Sequence, residues 1–192
     1  MKNSAKKNLI LFLAIFLIGS ALIYWGRIQS DKPSQISTAL LNKPAPAFEL
    51  ADQDGNLYSP DKLKGKNILL FFNEGLACYP ACWDEMLALA KEERFAENNT
   101  VVLSVIADEK QSWLKAAGKM PELKQAKVIF DQGAKISRAY DMLTMPSAMH
   151  RGALPGHTYV LIDKQGIVKY VYDDIKMGKN GGKLLKEITR LK

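Results

Sequence analysis

The chain has few of the residues that build metal clusters, disulfide frameworks and hydrolase triads. It contains 2 cysteines and 2 histidines among 192 residues. Two cysteines are too few for a four-cysteine zinc or iron–sulfur site and for a disulfide-stapled miniprotein. We find no persuasive Ser-His-Asp order and no glycine-rich phosphate loop before a predicted helix. These absences direct attention to the two cysteines.

The sequence also lacks a basic cluster interleaved with aromatic residues. The net charge is +7, but four of the 27 basic residues lie in the first 27 positions, where there is no acidic residue. The remainder carries 23 basic and 20 acidic residues. A nucleic-acid partner is therefore not expected, because phosphate binding needs a concentrated basic surface.

One long hydrophobic run lies near the amino terminus. Residues 9–25 contain no charged side chain and follow three lysines, whereas Arg27 comes after the run. A bilayer span takes about 17 to 25 apolar residues, and positive charge stays on the cytoplasmic side. Residues 1–27 are thus predicted to be a single-pass anchor in the cytoplasmic membrane, with the following domain on the extracytoplasmic side. The alternative is a cleaved signal peptide, although Tyr24 to Arg27 make a poor cleavage site.

The remaining chain reads as a tether followed by one α/β domain. Residues 28–42 are polar at first and are interpreted as a linker, and residues 43–192 as the folded domain. Apolar runs and helical periodicity predict a βαβ unit, then a helix, a β-hairpin and a closing helix. The predicted strands are 68–72, 101–106, 128–130, 158–162 and 167–172, and the predicted helices are 83–95, one beginning at 112, 134–140 and 181–191.

Several segments of this domain resemble a known family. The stretches LNKPAPAFELADQDGNLYSPDKLKGKNILLFF, VVLSVIADEKQSW, VIFDQGAKISRAYDML and GHTYVLIDKQGIVKYVY appear in that order within residues 41–191. They resemble the redoxins, namely peroxiredoxins of the alkyl hydroperoxide reductase and thiol-specific antioxidant family and the membrane-anchored thioredoxin-like reductases. The resemblance implies a thioredoxin-like fold with a central mixed β-sheet flanked by helices.

Cys78 and Cys82 lie between a predicted strand and a predicted helix. A helix amino terminus carries a partial positive charge, which lowers the pKa of a nearby thiol. Three intervening residues allow a local disulfide that closes only a small loop, and such a bond adds little stability. A strained, accessible disulfide is readily reduced. The pair is therefore predicted to be catalytic, with Cys78 as the attacking thiol and Cys82 as the resolving one, and a purely structural disulfide is the alternative.

The cysteine spacing departs from both branches of the resembled family. Thioredoxin-like reductases have two residues between their cysteines, whereas this chain has three. In the peroxiredoxin pattern, a proline, a threonine and a cysteine would fall at Asn73, Ala77 and Pro80. The hydroxyl that usually activates peroxide is therefore missing from this chain.

Other candidate site residues follow from the resemblance. It implies a cis proline opposite the cysteines, before an edge strand, for which Pro155 is the nearest candidate and Pro146 the reserve. His157 stands where redoxins often place an arginine beside the thiolate, so it is either a thiolate partner, a metal ligand or simply a surface or hydrogen-bonded residue. His150 and Arg151 are further candidates.

Residues beside the cysteines have two interpretations each. Glu74 and Asp84 either move protons during exchange or stabilise the helix dipole, and the second is the ordinary role of acids in a first turn. Trp83 is either a wall of the site or part of the core. The methionines of the nearby loop are interpreted as packing residues rather than copper ligands; they are Met142, Met145 and Met149.

Three functional hypotheses remain open. The first is an extracytoplasmic thiol–disulfide oxidoreductase that acts on protein disulfides and draws electrons from a membrane electron-relay thiol protein. The second is a peroxiredoxin-like peroxidase that reduces peroxide through a sulfenic acid. The third is not an enzyme: Sco copper-delivery proteins are similar in their anchor, fold and cysteine spacing, so Cys78, Cys82 and His157 would bind copper. No cofactor is expected in the first two.

Overall fold

The computed structural model describes residue 13, residues 15–22, residue 24 and residues 39–191. The chain divides into two units, residues 1–34 and residues 35–192, which are described separately. In the first unit, residues 15–22 are helical. Among the described residues, we find no helix with both the length and the apolar character needed to cross a bilayer. The predicted anchor and the predicted linker lie largely outside the described residues.

The second unit is built around a five-stranded mixed sheet. The strands are β3 (Asn67–Phe72), β4 (Thr100–Ile106), β5 (Val128–Phe130), β6 (Thr158–Ile162) and β7 (Val168–Asp173), preceded by the short pair β1 (Leu50–Ala51) and β2 (Leu57–Tyr58). The strand order in the sheet is β5-β4-β3-β6-β7, in which β3, β4 and β5 run parallel and β6 is antiparallel to both of its neighbours. This arrangement confirms the predicted thioredoxin-like sheet. It corrects one detail, because β6 is an inner strand and not an edge strand.

Helices cover the sheet, and three of them are shorter than the sequence predicts. The one predicted over 181–191 ends at Thr189. The α-helices are α1 (Ala81–Lys91), α2 (Arg94–Glu97), α3 (Lys110–Ala117), α4 (Lys135–Ala139) and α5 (Gly181–Thr189). The single helix predicted over 83–95 is interrupted at Glu92, whose ψ of 87° is not helical and whose carboxylate pairs with Arg94. The helix predicted over 134–140 begins one residue later, because Ala134 adopts a left-handed conformation.

The sheet separates two hydrophobic clusters. One contains both cysteines with Trp83, Met86 and Trp113, and the other contains Phe48 and Tyr140. Met142 and Met145 are fully buried in the second cluster, so their interpretation as packing residues is confirmed. Met149 is instead 55% exposed.

The β1–β2 hairpin was not predicted from the sequence. Its turn is organised by Asp52, whose Oδ1 accepts hydrogen bonds from the backbone N–H groups of Asp54 and Asn56, both at 2.9 Å. Gly55 takes the left-handed position at φ 89°, which glycine adopts without steric cost. Two-residue strands carry too little alternation to be recognised from a sequence pattern.

Candidate active site

The two cysteines lie at the junction between β3 and α1. A short 3-10 helix, Gly75–Cys78, follows the strand, and Cys82 is the second residue of α1. A disulfide joins the two sulfurs across a Cα–Cα distance of 5.4 Å. Both residues are buried, with 3% of Cys78 and 1% of Cys82 exposed. Cys78 is thus only slightly more exposed than Cys82 in this disulfide-bonded state.

Gly75 allows the chain to turn into this junction. Its φ is +54°, and a Cβ at this position would lie 1.8 Å from Oδ2 of Asp108. That same oxygen accepts a hydrogen bond from the backbone N–H of Leu76 at 3.2 Å. The loop after β4 thus fixes the start of the 3-10 helix that carries Cys78. Burial raises the pKa of Asp108 above its ordinary range.

His157 lies against Cys82 at the start of β6. Its Nδ1 is 3.5 Å from Sγ of Cys82, and its ring meets the edge of Phe71 at a centroid distance of 4.7 Å. The residue is 1% exposed. Burial lowers the pKa of His157 to about 4, although the charge of Asp174 opposes this shift. The imidazole is therefore neutral at pH 7, with one donor nitrogen and one acceptor nitrogen.

A buried hydrogen-bond chain continues from His157 away from the cysteines. Nε2 of His157 is 2.8 Å from the hydroxyl of Tyr159, and that hydroxyl donates to Oε1 of Glu85 at 2.8 Å. Asn180 donates to the same carboxylate oxygen from its backbone N–H at 3.1 Å. Because the hydroxyl proton goes to Glu85, the Tyr159 oxygen accepts from Nε2–H, and Nδ1 is left free to accept a proton from Cys82. The four side chains form one directed path, which we call the relay: Cys82, His157, Tyr159 and Glu85.

Glu85 is the acidic end of the relay. It is fully buried, and burial raises its pKa to about 7, against the opposing hydrogen bonds from Tyr159 and Asn180. Its other carboxylate oxygen, Oε2, is buried without a hydrogen-bond partner among the described residues. An unsatisfied carboxylate oxygen favours the protonated acid. Glu85 is therefore poised to gain or lose a proton near neutral pH.

Glu85, Tyr159 and Asn180 were not predicted from the sequence. Glu85 lies three residues after Cys82, on the same face of α1, among buried Met86 and Leu89. A charged residue on the apolar face of a helix was the available signal. Tyr159 lies two residues after His157 on β6, and alternate strand residues share a face. Asn180 gave no comparable signal, because it belongs to the turn before α5.

Glu74 binds the loop that contains His150 rather than the cysteines. It is 2% exposed, and its two carboxylate oxygens bind the backbone N–H and Nδ1 of His150, each at 2.8 Å. Asp84 is exposed in the first turn of α1, as expected for an acid that stabilises the helix dipole. His150 is thus a partner of Glu74, and Arg151 is exposed.

Trp83 is both a wall of the site and part of the core. It is 5% exposed, and its indole N–H donates to the carbonyl of Gly75 at 3.0 Å. Its ring also meets Tyr79 and Trp113 edge-on, each at 5.2 Å between centroids. Tyr79 itself is 63% exposed. Trp83 therefore joins the turn before Cys78 to the core beneath α1.

The structure corrects the expectation for Pro155. The cis peptide bond among the described residues is Tyr79–Pro80, between the two cysteines, and the bond before Pro155 is trans. Pro155 is buried, and the next residue, Gly156, packs so closely that a Cβ would lie 2.3 Å from Oγ of Ser147. The segment before β6 therefore places His157 through close backbone packing.

Soft metal-ligating atoms meet at the same place. Cys78, Cys82 and His157 each offer a ligand atom, and these atoms lie within 4.8 Å of one another. Sδ of Met177 is a further soft donor, 4.0 Å from Sγ of Cys78. Two thiolates with an imidazole suit a soft cation such as copper(I). The set fits that ion only when the disulfide is reduced, because a metal binds the thiolate form.

Known proteins share the sequence pattern of this domain. A family model described as Redoxin matches residues 40–178. The chain belongs to the Redoxin family. This redoxin is 31% identical over 148 residues to the chloroplastic peroxiredoxin Q of Triticum aestivum, which covers 76% of this chain and 65% of the relative. It is 29% identical over 174 residues to the thiol:disulfide interchange protein DsbE of Escherichia coli K12, covering 86% of this chain and 84% of the relative.

Solved structures confirm the fold of the redoxin. The reduced 2-Cys peroxiredoxin of Plasmodium vivax superimposes with a TM-score of 0.63 at 26% identity, covering 78% of this chain and 80% of that one. The chain spans 65% of the length of the peroxiredoxin Q relatives from Triticum aestivum and Suaeda salsa. The resemblance to redoxins inferred from sequence segments is thus confirmed.

Proposed function

We propose that this redoxin is a thiol–disulfide oxidoreductase that cycles between the Cys78–Cys82 disulfide and the dithiol. The observation that supports this function best is the contact between Cys82 and His157, backed by Tyr159 and Glu85. A purely structural disulfide is never reduced, so neither of its sulfurs needs a proton acceptor. A resolving thiol needs one, because it must lose its proton before it attacks.

Cys78 is the thiol that attacks the substrate. It precedes α1 and adjoins the exposed Tyr79, whereas Cys82 lies inside the helix against His157. In the reducing direction, the Cys78 thiolate attacks a substrate disulfide, and one substrate thiolate leaves. Cys82 then gives its proton to Nδ1 of His157 and attacks the mixed disulfide, which releases the second substrate thiolate. Two electrons have passed to the substrate, and the enzyme holds its disulfide again.

A dithiol donor is needed to restore the reduced enzyme. We propose a membrane electron-relay thiol protein for this role and protein disulfides as substrates. The DsbE relative, named a thiol:disulfide interchange protein, supports an exchange reaction of this kind. We also propose that residues 9–25 anchor the chain and leave the domain on the extracytoplasmic side. The uncharged run behind three lysines supports this location, and alkaline extraction of membranes with protease accessibility of the domain tests it.

A peroxidase is the second candidate. The peroxiredoxin Q relatives favour it, and a disulfide between two cysteines is the expected product. One thiolate would reduce a hydroperoxide to an alcohol and become a sulfenic acid, and the other thiol would displace water to form the disulfide. Ala77 stands where the family has its threonine, so a slow reaction is expected. Trapping a sulfenic acid during rapid peroxide consumption would favour this candidate.

Copper delivery is the third candidate, supported by the ligand atoms of Cys78, Cys82 and His157 within 4.8 Å. Copper(I) would be the cargo of the reduced protein. Retention of stoichiometric copper through dialysis, lost when His157 is replaced by glutamine, would favour it over exchange.

Trapping of a mixed disulfide distinguishes thiol–disulfide exchange from peroxide reduction and from copper delivery. The reduced Cys82→Ser variant of the full chain should accumulate a mixed disulfide with a disulfide substrate, whereas Cys78→Ser should accumulate none and lose turnover. If both single variants keep wild-type turnover, the exchange mechanism is wrong. Met149→Ala is the matched control, because this methionine is exposed and has no role in the mechanism.

A further inference from the structure

A short segment between β7 and α5 lies across the cysteine site. We call residues 174–180 the strap. At its first residue, the backbone N–H of Asp174 donates to the carbonyl of His157 at 2.9 Å. At its last residue, Asn180 donates to Glu85 from its backbone at 3.1 Å and to the Tyr159 hydroxyl from its side chain at 3.2 Å. The strap is therefore tied to the relay at both ends.

Asp174 gives the strap its shape. Its Oδ1 accepts from the backbone N–H of Lys176 at 3.1 Å, and its Oδ2 accepts from Gly178 at 2.8 Å and from Asn180 at 2.8 Å. Two backbone donors and one side-chain donor on one carboxylate hold the segment in a compact turn. The turn places Met177 at its apex, between the two bound residues Lys176 and Gly178.

Met177 lies over the attacking thiol. Its Sδ is 4.0 Å from Sγ of Cys78, and it packs against the core cluster that contains both cysteines. Its φ is +49°, a left-handed conformation that is uncommon for a residue other than glycine. Cys78 remains 3% exposed beneath this cover, although its neighbour Tyr79 is 63% exposed.

We propose that Met177 is a specificity-determining residue that selects substrates by size at Cys78. Exchange requires the Cys78 sulfur to approach a substrate disulfide, and the thioether occupies that approach. A flexible methionine side chain moves aside for a slender molecule, whereas the surface of a folded protein requires the whole strap to move. The gate therefore favours disulfides carried by small molecules or extended chains over those on folded surfaces. This inference rests on the proposed exchange function.

The test compares two disulfides of different bulk. Reduced full-length protein is mixed with oxidised glutathione or with a compact protein that carries one exposed disulfide, and the oxidation rate is followed for wild type, Met177→Gly and Met177→Leu. Glycine suits the left-handed backbone, and leucine keeps the bulk without the sulfur. Because a closed gate leaves about 10% or less of the molecules open, Met177→Gly should raise the rate with the protein disulfide about tenfold or more. The rate with glutathione disulfide should change little, and Met177→Leu should behave as wild type.

Two results would overturn the gate: an unchanged ratio of the two rates in Met177→Gly, or a Met177→Leu variant that behaves as the glycine variant. A second readout keeps the gate separate from the exchange function. In the Cys82→Ser background, alkylation of Cys78 by iodoacetamide and by a polyethylene-glycol maleimide is compared with and without Met177→Gly. The bulky reagent alone should gain about tenfold. If Cys78 shows this pattern of alkylation but the protein exchanges with neither disulfide, the proposed function is contradicted and the gate is not.

Discussion

At the scale of single residues, the proposed chemistry of Cys82 depends on a neutral imidazole that lies between the Cys82 sulfur and, through Tyr159, a buried acid. His157 offers Nδ1 to the sulfur at 3.5 Å and Nε2 to Tyr159 at 2.8 Å. Burial lowers the pKa of His157 to about 4, so the ring can accept a proton at pH 7 without already holding one. The same burial raises the pKa of Glu85 to about 7. Desolvation thus leaves His157 unprotonated at pH 7 and brings the pKa of Glu85 close to that pH.

Replacing His157 by glutamine should slow the resolving step. The variant leaves Cys82 without its proton acceptor, and a positioned general base contributes about 100-fold or more. Quenched-flow measurement of the mixed-disulfide lifetime checks this. His150→Gln is the matched control, since this histidine contacts Glu74 and no cysteine. Equal slowing in both variants would contradict the role of His157.

The rate of resolution should rise as the pH increases through about 7. Glu85 draws the hydroxyl proton of Tyr159 only when its carboxylate is ionised, and its pKa lies near that value. Glu85→Gln should remove this step from the pH profile, and Tyr159→Phe should do the same by breaking the chain between His157 and Glu85. Tyr172→Phe, which alters a ring stacked on Tyr159, should keep the step. A profile that is unchanged in Glu85→Gln would show that the relay carries no proton.

At the scale of helices, strands and loops, sequence patterns predicted the elements that carry strong local signals. The apolar strands β3 to β7 and helix α1 were predicted within a few residues, and so was the position of the cysteines between strand and helix. The relay was not predicted, because it depends on contacts between residues far apart in the chain. Glu85 and Tyr159 are separated by 74 positions. They meet because β6 pairs with β3 and because α1, which carries Glu85, packs in the same core cluster as Tyr159. The break at Glu92 escaped prediction because a local side-chain pair with Arg94 replaces the helical continuation.

Replacing Glu74 by alanine should lower the free energy of unfolding, because Glu74 binds the loop after α4 to the segment that carries the cysteines. The variant removes the buried side chain that accepts two hydrogen bonds from His150, and at about 0.5 to 1.5 kcal/mol for each hydrogen bond the loss amounts to about 1 to 3 kcal/mol. Urea unfolding measures the change in the free energy of unfolding. Glu93→Ala, an exposed acid, should change it by less than about 0.5 kcal/mol. A loss as large for Glu93→Ala would contradict a specific role of the Glu74 contact.

At the scale of the whole molecule, the two perturbed groups should oppose each other in the pH dependence of stability. The pKa of Glu85 is raised from 4.5 to about 7, so the folded state binds its proton more tightly and this contribution is lost as the pH rises from 4.5 to 7. The pKa of His157 is lowered from 6.5 to about 4, so its contribution grows as the pH rises from 4 to 6.5. The two slopes have opposite signs over most of this range.

Replacing one group at a time should reveal how each group contributes to the pH dependence of the free energy of unfolding. Relative to wild type, the free energy of unfolding of Glu85→Gln should rise between pH 4.5 and 7, and that of His157→Gln should fall between pH 4 and 6.5. Each change should amount to a few kcal/mol, since one pKa unit corresponds to about 1.4 kcal/mol. Denaturant titrations at several pH values measure these differences. Variant curves parallel to that of wild type would show that neither group is perturbed in the folded protein.

The reduction potential of the Cys78–Cys82 pair distinguishes a catalytic disulfide from a structural one. The full chain is equilibrated in glutathione and dithiothreitol buffers, the fraction of disulfide is measured, and copper is assayed on the same sample. A catalytic pair predicts a reversible two-electron couple in metal-free protein, with a potential within the range spanned by thioredoxin-like and strongly oxidising relatives, about 150 mV wide. A disulfide that no buffer in this range reduces, or thiols that purify occupied by copper, would contradict thiol–disulfide exchange as the function.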